Sequence, residues 1–143
     1  MAVSELRVGE FLAALGDRTP APASGAAAAL TGAFAASLVE LAARFADNEA
    51  TVTRARALST RLTQLADEDA AAYTAFMETR SEEARRLTIA VPEEIAAHAD
   101  EVERLAAHVG AQLTSSVAGD AAAAEELARA AARVARRLAE LNA

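Results

Sequence analysis

The chain has 143 residues, of which 53% are hydrophobic and 24% charged, and it carries a formal net charge of −7. That is enough chain for one domain with a real core, and the acidic balance speaks against a nucleic-acid binder, which needs a basic footprint. There is no cysteine, and all 14 basic residues are arginine, so thiol catalysis, disulfide staples, zinc–thiolate sites, lysine Schiff bases and P-loops are excluded.

Alanine makes up about 30% of the chain and aromatic residues only 3%. Alanine, leucine, arginine and glutamate are the strongest helix formers, whereas sheets want β-branched and aromatic runs. An all-α domain is therefore expected. The first ten residues lack the basic start and apolar core of a signal peptide. Ser4 is a candidate N-cap for a short amphipathic helix carrying Leu6, Phe11, Leu12 and Leu15 and ended by Gly16. Residues 16–25 hold two prolines and two glycines, the clearest loop signal in the chain.

Ser24 can cap a second helix running to about Asp47, with Leu30, Phe34, Leu38, Leu41 and Phe45 as its bulky positions. Its apolar stretch is mostly alanine and lacks the bulk of a membrane span, so a buried central helix is expected. Asn48 is a good cap for a third helix, from Glu49 to about Arg80, whose seam reads Leu58, Leu62, Leu65, Asp69, Ala72, Phe76. That three-four alternation is the packing pattern of a helix bundle. A connection over residues 81–91 leads to a break expected at Pro92. A fourth helix then presents Ile95, Val102, Leu105 and Val109 and ends at Gly110, and a last one, about Val117 to Leu141, presents Ala124, Leu127, Ala131, Val134, Leu138 and Leu141. The expected architecture is one domain over 1–143, a bundle of four long helices plus a short N-terminal helix.

Asp69 sits where the third seam wants a leucine. A carboxylate there is a patterning error unless it is paired or functional, and burial would raise its pKa towards the range of acid–base work. Tyr73 lies one turn on, on the same face, while Asp67 and Glu68 point elsewhere. Asp69 could equally cap a loop or pair with an arginine from another helix. His98 lies between Ile95 and Val102, on the apolar side of its helix. His108 is out of register with it for a metal pair, which wants i and i+3 or i+4, and no metal is expected. A lone histidine in that position is more often a hydrogen-bonded core residue than a catalyst. Arg129, Arg133, Arg136 and Arg137 form a stripe, but Glu125–Arg129 and Arg136–Glu140 at i,i+4 read as a solvated, salt-bridged face.

Several segments resemble a known family in their order. Glu10-Phe11-Leu12-Ala13-Ala14-Leu15 is followed by Thr19-Pro20-Ala21-Pro22 and an alanine-rich helix. Then come Asp67-Glu68-Asp69-Ala70-Ala71-Ala72-Tyr73, Val91-Pro92 with Ile95-Ala96, and Gly110 with Ser116. This succession resembles the cyclodeaminase/cyclohydrolase family, which includes the formiminotetrahydrofolate cyclodeaminase domain and bacterial methenyltetrahydrofolate cyclohydrolases. The sequence departs from the family pattern in places. The triple-glycine loop is Ala23-Ser24-Gly25, Ala111 and Val117 replace an asparagine and an aspartate, and His98 stands where a small residue is usual.

The resemblance implies an all-α homodimer whose substrate is a tetrahydrofolate carrying a one-carbon C=N unit. A ring is opened or closed at that carbon, with water added or ammonia lost. No prosthetic group, no nucleic-acid or membrane partner and, by default, a cytoplasmic location are expected. Asp69 would be the acid/base, with Asp67 second and His98 a newly recruited group. Pro20, Pro22, Ser24, Gly25, Tyr73 and Ser116 would bind substrate. The chain itself is expected to be a divergent enzyme of this kind, acting on such a folate or on another small molecule, and the rival expectation is an inactive helical dimer that keeps the scaffold for binding or assembly. The two differ in whether Asp69 lines an open pocket or is sealed by an arginine.

Overall fold

The computed structural model describes residues 2–143. Its elements are a 3₁₀ turn (Val3–Glu5), α1 (Val8–Gly16), α2 (Ser24–Phe45), α3 (Glu49–Thr79), α4 (Glu82–Gly110) and α5 (Val117–Asn142), with no strand among the described residues. The all-helical expectation holds. α2 packs against α3 and α5 and also touches α4, while α4 lies against α5 and α3. The 3₁₀ turn rests on α3.

α2 takes the middle because one side of it is nearly free of side chains. Ala26, Ala29, Ala35, Ala36 and Val39 are fully buried. A Cβ added at Gly32 would lie 3.2 Å from Leu62 Cδ1 and 3.9 Å from Ala131 Cβ, so α2 approaches both α3 and α5 closely there. The space is filled from α3, whose Leu58, Leu62 and Leu65 are buried, and from α4 through Ile95, Val102 and Val109. By length and composition α2, at 22 residues and a mean hydropathy of 1.6, could cross a membrane. A core helix packed on its own bundle meets the same criteria.

Two expected seams are corrected. On α2 only Leu30 and Leu38 of the expected bulky residues pack against the core; Phe34 and Phe45 are 60% and 63% exposed, and Leu41 is exposed as well. On α5, Leu127, Val134 and Leu141 are exposed, and the buried face is Ala121, Ala124, Ala128, Ala131, Ala135 and Ala139. Helix axes can approach only as closely as the side chains between them allow, so the alanine stripes set the packing and these larger residues are left outside.

The expected break at Pro92 does not occur, and α4 runs unbroken from Glu82 with Pro92 inside it. Ser81 starts the helix, its hydroxyl accepting the Ala84 N–H at 3.1 Å, and Glu82 and Glu83 complement the dipole of the first turn. Proline lacks the N–H that would bond the carbonyl four residues back, which is that of Thr88. Asn142 supplies the missing donor, its Nδ2 lying 2.8 Å from the Thr88 oxygen.

The caps are also reassigned in part. Asn48 caps α3 as expected, accepting the Thr51 N–H at 3.1 Å. Ser4 caps no α-helix and lies in the 3₁₀ turn, while the Arg7 N–H ahead of α1 is taken by Glu10 at 2.8 Å. Ser24 is the first residue of α2 rather than its cap, a position held by Ala23. α3 ends on Arg80 in the left-handed region (φ 54°), its guanidinium 5.1 Å from the centre of the Phe76 ring.

Candidate active site

Asp69 projects from the middle of α3 towards the first turn of α2. That turn can receive it because residue 25 is glycine: a Cβ there would overlap the Asp69 carboxyl group. The pocket around the carboxyl holds about 250 Å³. One wall comes from the loop before α2, through Pro20, Ala21, Ala23 and Ser24, and another from Tyr73, one turn along α3. Thr88 of α4 and Leu138, Leu141 and Asn142 of α5 close the rest.

Asp69 is half-buried, and no group among the described residues hydrogen-bonds its carboxyl. No arginine lines the pocket. Burial pushes its pKa from 3.8 to about 6. The carboxyl lies beside the N-terminal turn of a 22-residue helix, where the helix dipole favours the charged form. Such a group takes or gives a proton near neutrality, as an acid/base catalyst must.

The other sequence-derived candidates divide. Pro20, Ser24, Gly25 and Tyr73 share the pocket with Asp69. Asp67 does not: its carboxylate accepts the Ser4 N–H at 2.9 Å and the Ser4 hydroxyl at 2.5 Å, pinning the 3₁₀ turn to α3. Pro22 lines a separate hollow beside Asp67. His98 lies elsewhere on α4, its Nε2 3.0 Å from Glu94 Oε2. Glu94 in turn receives the Arg61 fork at 2.6 and 3.0 Å, and that guanidinium, followed by His98, holds the Glu94 carboxyl below its ordinary pKa. His98 is thus hydrogen-bonded to the Arg61–Glu94 ion pair that joins α3 and α4, apart from Asp69. Ser116 precedes α5 at the end opposite Asn142, about 39 Å away along a helix of 26 residues.

The arginine stripe is largely paired. Arg129 meets Glu125 and Glu103, both at 3.2 Å. Arg136 binds Asp100 rather than the expected Glu140, and Arg137 lies 3.7 Å from Glu140. Thr88, Leu138, Leu141 and Asn142 were not legible as pocket residues. The one usable signal was Pro92 itself, which leaves the carbonyl at position 88 in need of a donor.

The sequence pattern of the formiminotransferase-cyclodeaminase family matches residues 7–143. No curated protein matches the chain. Among solved structures, the crystal structure of formiminotetrahydrofolate cyclodeaminase from Thermotoga maritima superposes with a TM-score of 0.92 at 23% identity, over 98% of this chain and 79% of that one. At that identity the superposition speaks for the fold, and the family match speaks for descent. A half-buried Asp69 seated on Gly25 behind the proline loop is what the family-like segments of the sequence build when folded, and the chain belongs to the formiminotransferase-cyclodeaminase family.

Proposed function

We propose that the chain is an enzyme that opens or closes a ring at a C=N or C–N bond of a tetrahydrofolate one-carbon derivative, with Asp69 as its acid/base. The observation that carries this reading is the Asp69 carboxyl itself, unpartnered in a pocket and raised to about 6 by burial. In hydrolysis of a methenyl unit, water adds to the C=N carbon and Asp69 takes the proton that the water loses; one ring C–N bond then breaks as the new hydroxyl becomes a carbonyl and its proton passes to the freed nitrogen. In cyclodeamination, the amine nitrogen not yet joined to the formimino carbon bonds to it and gives up its proton, and the C=N nitrogen, having taken that proton and one from Asp69, leaves as ammonia when its bond to the carbon breaks. Either direction requires a carboxyl poised near neutrality. The folate is a substrate, and no prosthetic group enters the reading. The working unit is a homodimer, and its location is the cytoplasm.

Spectrophotometric hydrolysis of methenyltetrahydrofolate tests this, wild type against Asp69→Asn. Turnover in the wild type that falls at least 100-fold in the variant is expected, the order of a lost general acid/base. Turnover that survives the substitution removes Asp69 from the chemistry. The second reading, a helical dimer without catalysis, is favoured by the pocket's size, since about 250 Å³ lies below the roughly 300–1,000 Å³ usual for small-molecule sites. It predicts neither turnover nor folate binding in the wild type.

A further inference from the structure

Asn142 has two jobs available to it, and the geometry separates them. The Thr88 carbonyl can only accept a hydrogen bond, and Pro92 offers it no N–H. The Asn142 amide therefore presents its nitrogen to that oxygen, at 2.8 Å. An amide is planar, so fixing one arm fixes the other. The remaining oxygen, Oδ1, has no partner among the described residues. Asn142 also lines the Asp69 pocket, where the other polar side chains are Asp69, Ser24, Tyr73 and Thr88. The Thr88 hydroxyl gives its hydrogen to the Arg85 carbonyl at 2.6 Å, which leaves it no donor for a ligand.

We infer that Asn142 is a specificity-determining residue of the Asp69 pocket, its Oδ1 accepting an N–H from the ring of the bound ligand. The inference rests on the folate reading above and adds the group that orients the ligand. Asp69 supplies one polar anchor, which changes protonation during the reaction. Asn142 supplies a second, which does not titrate and is held in place by a carbonyl of another helix. A reduced pterin, with N–H groups along one edge, presents the donor that this acceptor needs. The pinned amide gains the hydrogen bond without first losing rotamer freedom.

A double-mutant cycle separates the ligand role from the structural one. Asn142→Ala leaves the Thr88 carbonyl orphaned, which costs stability. In the Pro92→Ala background the restored backbone N–H serves that carbonyl, and Asn142→Ala then costs less stability. If Oδ1 orients the ligand, the binding loss persists regardless. The readouts are the thermal midpoint, together with KM and kcat for methenyltetrahydrofolate at a temperature where circular dichroism shows every variant folded. The expected result is a KM raised about five- to tenfold by Asn142→Ala in both backgrounds, the worth of one neutral hydrogen bond, with kcat within about twofold. The midpoint penalty is expected to shrink in the Pro92→Ala background. A KM effect that vanishes together with the midpoint effect overturns the inference, because the amide then serves only the carbonyl. A wild type that neither binds nor turns over the folate overturns the function reading, and this inference with it.

Discussion

The Asp69 carboxyl and the Gly25 Cα occupy adjoining space, so each limits what the other can be. In Gly25→Ala the added methyl would overlap the carboxyl, and the side chain must swing away or α2 must lift from α3. A stability loss of about 1–3 kcal/mol is expected, as for overpacking, with loss of turnover. Adding Asp69→Ala removes the obstruction and should recover most of the stability but none of the activity. Denaturation of the four proteins in the cycle measures this coupling, and strictly additive effects would deny the contact.

The charge on Asp69 has a second consequence. With its pKa at about 6 in the fold against 3.8 for a free carboxyl, the native state holds the proton more tightly than the unfolded chain does. The stability from this linkage is therefore complete below pH 3.8 and is lost as pH rises through about 6. At pH 7 the buried carboxylate costs about 2–3 kcal/mol. Asp69→Asn should be more stable than wild type by roughly that amount at about pH 7 and by little at about pH 4, which urea denaturation at the two values would read. Asp69 was legible from sequence because a carboxylate broke a leucine seam. Asn142 was not, since its role depends on an N–H missing from Pro92 on another helix.

At the scale of the helices, chain order and number could be read from spacing and caps, while the start of α4, ten residues ahead of Pro92, and the buried faces of α2 and α5 could not. Reading a seam from its largest residues assumes that bulk goes inside. Here the core is closed by alanine against alanine, with large residues of α3 and α4 as filling, while Phe34, Leu41 and Phe45 of α2 and Leu127, Val134 and Leu141 of α5 are left at the surface. Ala128 and Leu127 are neighbours that test this. Ala128 is fully buried and Leu127 is exposed. Ala128→Leu should cost about 1–3 kcal/mol through overpacking, and Leu127→Ala less than about 1 kcal/mol, against the 2–5 kcal/mol of a buried leucine. The reverse order would restore the seam that spacing suggests. Pro92 makes a related point, because a proline ends a helix only where nothing else can serve the carbonyl it abandons.

Across the whole molecule, the faces turned away from the core form an apolar band. α1 lays Phe11, Leu12 and Leu15 beside Leu30 and Phe34 at the start of α2. Beyond it, Leu41 and Phe45 are exposed, Phe45 to 63%. A monomer rarely leaves such a band bare, and a two-fold copy can cover it with the same band, apolar against apolar. Glu40, held below its ordinary pKa by Arg44 and then Arg56, supplies a charged border. The protein is therefore expected to sediment at twice its 14.7 kDa chain mass. Phe45→Glu should reduce it to the single chain while leaving the monomer's own stability within about 0.5 kcal/mol, because the side chain is largely in solvent. A monomeric wild type removes the dimer from the reading. A monomeric Phe45→Glu that retains turnover would show the Asp69 pocket to be complete within one chain. One that loses turnover while Asp69 and the fold are intact would mean that the second copy shapes the pocket.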